Sequence, residues 1–213
     1  MRWAVKTDGK QENLKEKGEK ITLEIKEEWA GKEIIVMACL KSFDEDVSQK
    51  TKIDISLSLN FNRKFLLLRV VRKEEILQFS YEAVSGRSIN GTFDYSKARQ
   101  AVENEGPIPE GEYHINPQEI QYVANRSFKD EIKGVFGGGT FPGGSRSWRI
   151  GRIWIKPSQV TVDGVVRSNF SIHGGDEPGS AGCIDLTNND KNFFDKIIQY
   201  RGNITKVPLI VKY

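Results

Sequence analysis

Cysteine and histidine are nearly absent from this chain of 213 residues, which holds two of each. Two cysteines, Cys39 and Cys183, cannot build the disulfide framework of a small secreted scaffold. The four residues show no zinc-type spacing, so neither a metal nor another cofactor is expected. No run approaches the roughly 18 apolar residues of a membrane helix, so no membrane span is expected. An excess of one charge is also missing: 32 basic and 29 acidic residues are interspersed, for a net charge of +3. That balance argues against nucleic acid as a partner, which would want a clustered basic face. Residues Met1 to Gly9 lack the apolar core of a signal peptide. The expectation is a cytoplasmic start and secretion without a cleaved leader. The glycine-rich run from Gly137 to Gly144 lacks the Gly-Lys-[Ser/Thr] ending of a phosphate loop and reads as a mobile loop bordering a cleft. Hydrophobic residues make up 38% of the chain, enough for a packed core and too many for a disordered protein.

The chemistry that is present concentrates between Ser171 and Asp185. This stretch holds His173 and Cys183, ten positions apart, with Gly174, Gly175, Gly179, Ala181 and Gly182 between them. A thiol is a good nucleophile as thiolate, and a nearby imidazole can take its proton. Glycines let a backbone turn tightly and approach a substrate carbonyl. The segment therefore reads as a cysteine-nucleophile site. The spacing is equally compatible with a small buried cysteine at a strand start and a structural histidine.

Arg167 to Gly175, followed by Gly179 to Leu186, resembles the active-site signature of the L,D-transpeptidase (YkuD-like) superfamily. It is most similar to the branch of type VI secretion antibacterial effectors. Gly106-Pro-Ile-Pro-Glu-Gly-Glu-Tyr113 resembles the family's Gly-Pro turn, Tyr81 to Gly86 an early strand element, and Arg149 to Pro157 the strand before the site. The likeness covers roughly residues 62–213. It departs from the usual transpeptidase pattern in its shorter His-to-Cys interval and in Ser180-Ala181-Gly182-Cys183, where a second histidine is missing.

The resemblance implies a cysteine peptidase acting on peptidoglycan stem peptides as a secreted antibacterial toxin. The implied activity is L,D-carboxypeptidase action, with D-amino-acid exchange as a further possibility. It implies action in the periplasm of a target bacterium and a cognate immunity protein. His173 and Cys183 would be catalytic, with His173 relaying the thiol proton to the leaving amine. Gly182 and the Cys183 N–H are candidate oxyanion donors, Ser180 and Asp185 supporting residues, and Gly174 part of the same turn. Arg167 is the candidate grip on a substrate carboxylate, beside Gly175. His114 has no assigned role and reads as surface. The alternatives are a housekeeping L,D-transpeptidase that cross-links the cell wall and a non-catalytic binding module.

Organisation follows from hydrophobic periodicity. Ile21 to Ile25 alternates as a half-buried strand, Ile34 to Leu40 is a buried strand holding Cys39, and Ile53, Ile55, Leu57 and Leu59 alternate again. Glu27 to Lys32 reads as a turn anchored by Trp29, and Lys41 to Lys50 as a loop. Further strands are expected at 65–71, 76–81, 113–115, 148–155, 160–166, 170–172 and 207–211. Helices are expected at 95–103 and 188–200, the second carrying an apolar face of Phe193, Phe194, Ile197 and Ile198. The expected fold is mainly β: a small N-terminal β-sandwich-like module over residues 1–60, then an L,D-transpeptidase-like, β-rich catalytic domain over residues 61–213 with one or two helices. The first module resembles the β segments preceding effector toxin domains, which implies docking on secretion machinery. A plain structural extension of the catalytic domain is the alternative.

Overall fold

A computed structural model of the chain describes residues 1–39, 49–52, 54–73 and 75–213. Its first sheet contains β1 (Arg2–Thr7), β2 (Lys10–Lys17), β3 (Glu33–Cys39) and β4 (Gln49–Lys52), in the order β2-β1-β3-β4. The β1–β2 hairpin turns at Asp8-Gly9, both at positive φ. That turn matches the twist of paired strands, and Asp-Gly is its usual sequence. Ile21 to Ile25 does not form the expected strand. Among the described residues it joins no ladder, while Leu23 and Ile25 pack against the cluster of Val5, Trp29 and Ile34. Alternation reported which side chains face the core, but not whether a neighbouring strand would pair with them. Trp29 ends a short 3-10 turn, Glu27–Trp29, and is buried. Leu40, most of the expected 41–50 loop and Ile53 lie outside the described residues.

The larger sheet begins with the meander β5 (Ile55–Phe61), β6 (Phe65–Arg72) and β7 (Glu75–Glu82), followed by β8 (Val84–Ser85), β9 (Gly111–Ile115) and β10 (Gln121–Tyr122). It continues with β11 (Gly151–Lys156), and then a separate hairpin, β12 (Gln159–Val162) and β13 (Val165–Ser168), stands apart. The last strands are β14 (Ser171–His173), β15 (Ile184–Asp185) and β16 (Val207–Val211). The order is β7-β6-β5-β16-β9-β11-β14-β15-β8, with β10 paired to β11. Because β5 pairs with both β6 and β16, it lies in the larger sheet, and the two sheets divide between Lys52 and Ile55. The expected single strand at 160–166 is this separate hairpin, broken at Asp163-Gly164, where both φ values are positive. The strand expected from Trp148 starts only at Gly151.

Four helices are described: α1 (Lys97–Gln100), α2 (Phe128–Val135), α3 (Gly144–Trp148) and α4 (Asp190–Arg201). The second and third were not expected from the sequence. Helix α4 buries Phe193, Phe194, Ile197 and Tyr200 against the sheet, with ring pairs Tyr81–Phe193 and Phe79–Tyr200. Ile198 is partly exposed instead. At about 100° per residue it lies about 40° beyond Phe194, past the buried arc. The core runs through both ends of the sheet, from Leu57 to Val211, and underlies Ile172 and Ile184.

Candidate active site

The parallel pairing of β14 with β15 sets Ile172 beside Ile184 and His173 beside Asp185. One step back in the same register, Ser171 faces Cys183. Side chains two residues apart on a strand share a face, so Ser171 and His173 project to the same side. Both meet the thiol. The Ser171 hydroxyl donates to Cys183 Sγ at 3.3 Å, and the His173 side chain is hydrogen-bonded to Cys183. His173 Nδ1 lies 2.8 Å from the Gly174 carbonyl oxygen. A carbonyl only accepts, so Nδ1 carries the proton and Nε2 is the nitrogen left for the thiol.

The pair is polarised. Burial opposes ionisation of Cys183, but the hydrogen bond and charge of His173, helped by Ser171, bring the thiol below its ordinary range. Burial likewise disfavours the imidazolium, yet the hydrogen bond and charge of Cys183, then the charge of Asp185 and the Gly174 carbonyl, raise His173. Opposite charges in a poorly solvated site favour each other's ionised form. Asp185 is fully buried. Burial raises its carboxyl, while His173 and the N–H groups of Thr187 (2.8 Å) and Gly179 (2.9 Å) act the other way. The first of these bonds fixes the chain just after β15, and the second ties the middle of the loop to it.

The loop is braced throughout. Ser180 Oγ donates to the Cys183 carbonyl at 2.6 Å and does not reach His173. The Gly182 N–H points at Ser180 Oγ over a long 3.4 Å contact, so it is directed into the loop. Gly182 has φ +120°, and a Cβ there would stand 2.7 Å from Arg167 Nη2. The adjacent Gly174 packs on Asp190, where a Cβ would stand 2.5 Å from Cγ. Gly175 lines the cavity beside His173 and Cys183.

Arg167 borders the second cavity at Cys183, but its guanidinium is engaged within the protein. It is 2% exposed, and its guanidinium donates to the carbonyls of Gln100, Gly106 and Pro107. Its charge fixes the Gly106-Pro107 turn against the loop, which leaves no fork free for a carboxylate. Ser85 works beside it, donating to the Gly182 carbonyl (3.3 Å) and accepting from the Ile108 N–H (2.8 Å). These contacts join three separate motifs of the sequence. His114 lies on β9 against Lys156 and Pro208, on other strands than the site.

Several neighbours of the pair were not singled out by sequence. The Trp148 ring lies 4.7 Å from the His173 ring, and its Nε1 donates to the Pro142 carbonyl at 2.6 Å. The glycine-rich run is thereby pinned at the cleft, with Pro142 and Gly143 in the wall. Asp190 accepts from Arg149 Nε (3.3 Å) and from the Ile150 N–H (3.0 Å), fixing the chain just before β11. For Ser171 a signal existed, since it stands two residues before His173 on a strand. For Trp148, Ser85 and Asp190 the partners are too distant in sequence to read.

A cavity of about 670 Å³ opens over His173 and Cys183 and is lined also by Arg87, Arg146 and Asp176. A second, of about 420 Å³, reaches Cys183 from the side of Arg152, Trp154 and Asn169. Among the described residues no group of acidic, His or Cys side chains is arranged to hold a metal ion, and no helix is long and apolar enough to cross a membrane.

In shape the chain is similar to L,D-transpeptidase 1 of Mycobacterium tuberculosis, with 12% identity, 98% of this chain and 86% of that one covered, and a TM-score of 0.38. It is also similar to L,D-transpeptidase 3 of the same organism, with 14% identity, 86% and 70% covered, and a TM-score of 0.39. No curated protein sequence matches it. Residues 80–210, which include β8, the Gly106-Pro107 turn and the whole His173–Cys183 loop, match the family described as the Tlde1 domain. The chain belongs to the Tlde1 domain family, the L,D-transpeptidase-like effectors of type VI secretion.

Proposed function

We propose that this protein is a cysteine L,D-carboxypeptidase of peptidoglycan stem peptides, with His173 and Cys183 as its catalytic pair. The observation that carries the reading is the polarised pair itself, a thiol lowered and an imidazole raised, at the floor of an open cavity. Family membership supports a peptidoglycan-modifying enzyme.

The Cys183 thiolate attacks the carbonyl before the terminal amino acid. The C–N bond breaks as the His173 imidazolium gives its proton to the leaving nitrogen, and a thioester remains. Water then adds to the thioester while neutral His173 takes one of its protons. The C–S bond breaks, and thiolate and imidazolium are restored. A D-amino acid in place of water gives exchange by the same steps. Donors aimed at the oxyanion are typically worth a hundredfold or more in rate. The Cys183 N–H is the candidate, since the Gly182 N–H is directed at Ser180.

In this reading the enzyme is an antibacterial toxin that acts in the periplasm of a target bacterium and is held in check by a cognate immunity protein. The four-stranded sheet is the part proposed to dock on secretion machinery. It meets the larger sheet through Glu27 and the end of α4, where Tyr200 donates to Glu27 Oε1 at 3.1 Å. That joint lies roughly 15 Å along the helix from Asp190 at the site, at 1.5 Å per residue, so a docked partner would leave the cleft open.

Mass spectrometry of purified tetrapeptide and pentapeptide stems, incubated with wild type and with Cys183→Ala, tests the proposal. Loss of the terminal D-Ala from tetrapeptide with wild type alone is the expected result. Cross-linked dimers as the main product would favour a transpeptidase, and no change with either protein would overturn the enzymatic reading.

A further inference from the structure

Five arginines surround the candidate site, and three of them are committed. Arg167 is spent on main-chain carbonyls. Arg152 is buried, donates to Gln121 Oε1 at 2.9 Å and stacks 4.0 Å over the Trp154 ring. Arg149 bonds Asp190 and Asp176. Arg146 is exposed, on the segment before β11, and its guanidinium only approaches the Asp176 carboxylate at 4.0 Å, without a hydrogen bond.

Arg87 differs from these. Its side chain is exposed and lines the same cavity as His173, Gly175 and Cys183. Among the described residues no carboxylate pairs with it. Its backbone is nonetheless fixed: the Arg87 N–H donates to the Glu105 carbonyl at 2.7 Å, and the Gly86 carbonyl accepts from the Ser180 N–H at 2.9 Å. Gly86 has φ +81°, and a Cβ there would stand 2.8 Å from Pro107 N. Only glycine lets the chain lie so close to the turn. The guanidinium is thus mounted on a segment strapped to the loop that carries Cys183. Of the two acids lining this cavity, Asp176 is countered by Arg149 at 3.2 Å, and Glu177 forms no ion pair with Arg87.

We propose that Arg87 is the specificity residue of this cavity and holds the free C-terminal carboxylate of the peptide whose last amino acid leaves. A planar guanidinium meets a carboxylate through two parallel hydrogen bonds. The preference follows directly: peptides cut one residue from a free carboxyl terminus bind, and the same peptides capped as carboxamides bind poorly. This rests on the proposed action on stem peptides, but the recognition step is measurable without turnover.

The experiment is a calorimetric titration of Cys183→Ala with a synthetic tetrapeptide stem ending in D-Ala and with its C-terminal carboxamide. It is repeated in the Cys183→Ala/Arg87→Gln and Cys183→Ala/Arg87→Lys backgrounds. A bidentate charged contact is worth about 10- to 100-fold in affinity. The acid should bind tighter than the amide by that factor, Arg87→Gln should erase the difference, and Arg87→Lys should restore part of it. Equal binding of acid and amide, or a preference that survives Arg87→Gln, overturns the proposal. Turnover by the wild type is scored separately, so a protein that binds the acid through Arg87 yet releases no D-Ala would sink the catalytic reading and leave this one standing.

Discussion

The Ser171 hydroxyl donates to Cys183 Sγ at 3.3 Å from the strand position directly beside it. The hydroxyl is fully buried, so it cannot exchange this partner for water. It stabilises the thiolate over the thiol. A hydrogen bond to a charged group contributes about 1.5–3 kcal/mol. Ser171→Ala is expected to raise the Cys183 pKa by about one unit or more, since one unit is about 1.4 kcal/mol. At a pH on the acid side of the wild-type titration, alkylation of the thiol should slow by about tenfold, with an unchanged fold by circular dichroism. An alkylation rate equal to wild type would mean the bond does not tune the thiol.

The pH profile follows from the same pair. Cys183 is lowered and His173 raised, so both shifts favour the thiolate–imidazolium form of the pair and widen the pH window in which it is populated. Below this window the thiolate takes a proton and attack fails; above it the imidazolium loses the proton that the leaving amine needs. The profile of kcat/KM should therefore be bell-shaped, with its acid limb below the ordinary thiol range of about 8.5 and its alkaline limb above the ordinary imidazole value of about 6.5. In His173→Gln burial is opposed only by the Ser171 hydrogen bonds. The thiol should then titrate well above its wild-type value, which alkylation rate against pH would reveal. A thiol in that variant titrating as low as in wild type would mean His173 is not its partner.

The His173–Cys183 segment was legible because its signals are local: the residue types, the glycines and the period of β14 lie within fifteen positions. The strands of the larger sheet were legible for the same reason, since each alternates or runs apolar by itself. What could not be read depends on contacts across the chain. Arg167 on β13 looks like a solvated or ligand-facing arginine until the Gln100–Pro107 segment closes over it. Helix α2 does carry an apolar stripe at helical spacing, Phe128 and Ile132 with Phe136 just past its end, but that stripe is short and faces solvent rather than the core. The Asp163-Gly164 turn was overlooked inside an apolar run, although Asp-Gly is a strong hairpin mark.

Arg167 supplies a test of brace against clamp. Arg167→Met keeps much of the volume and removes the donors. The carbonyls of Gln100, Gly106 and Pro107 then lose a partner in the interior, at about 1–3 kcal/mol for each group left unsatisfied. A loss near 3 kcal/mol lowers Tm by roughly 6–12 °C in a chain of this size. Gly182→Ala should act in the same direction, since its Cβ would meet Arg167 Nη2 at 2.7 Å. Thermal melting and steady-state kinetics on the folded fraction separate the two roles. A tenfold rise in KM for tetrapeptide at unchanged Tm would restore Arg167 as a substrate grip.

Trp29 tests how far the two sheets stand or fall together. Its side chain is the centre of a small cluster with Val5 and Ile34, distinct from the larger core. Lys26 covers the ring, with Nζ 5.4 Å from its centroid. Trp29→Ala removes the largest apolar surface of that cluster, at a cost of about 3–5 kcal/mol. A cluster this small has little reserve, so amide protection in β1 and β3 should collapse. The contacts to the larger sheet are few. Among the described residues they include the Tyr200–Glu27 bond and the close approach of Ala30 and Gly31 to Gly202 and Asn203, where a Cβ on Gly202 would stand 2.0 Å from the Ala30 carbonyl oxygen. None of these residues belongs to the loop of Cys183. Exchange in β14 and the alkylation rate of Cys183 should therefore stay at wild-type values in the same variant. A parallel loss of protection in both sheets would make them one cooperative unit, and the four-stranded sheet would then be an extension of the catalytic body rather than a module able to dock by itself.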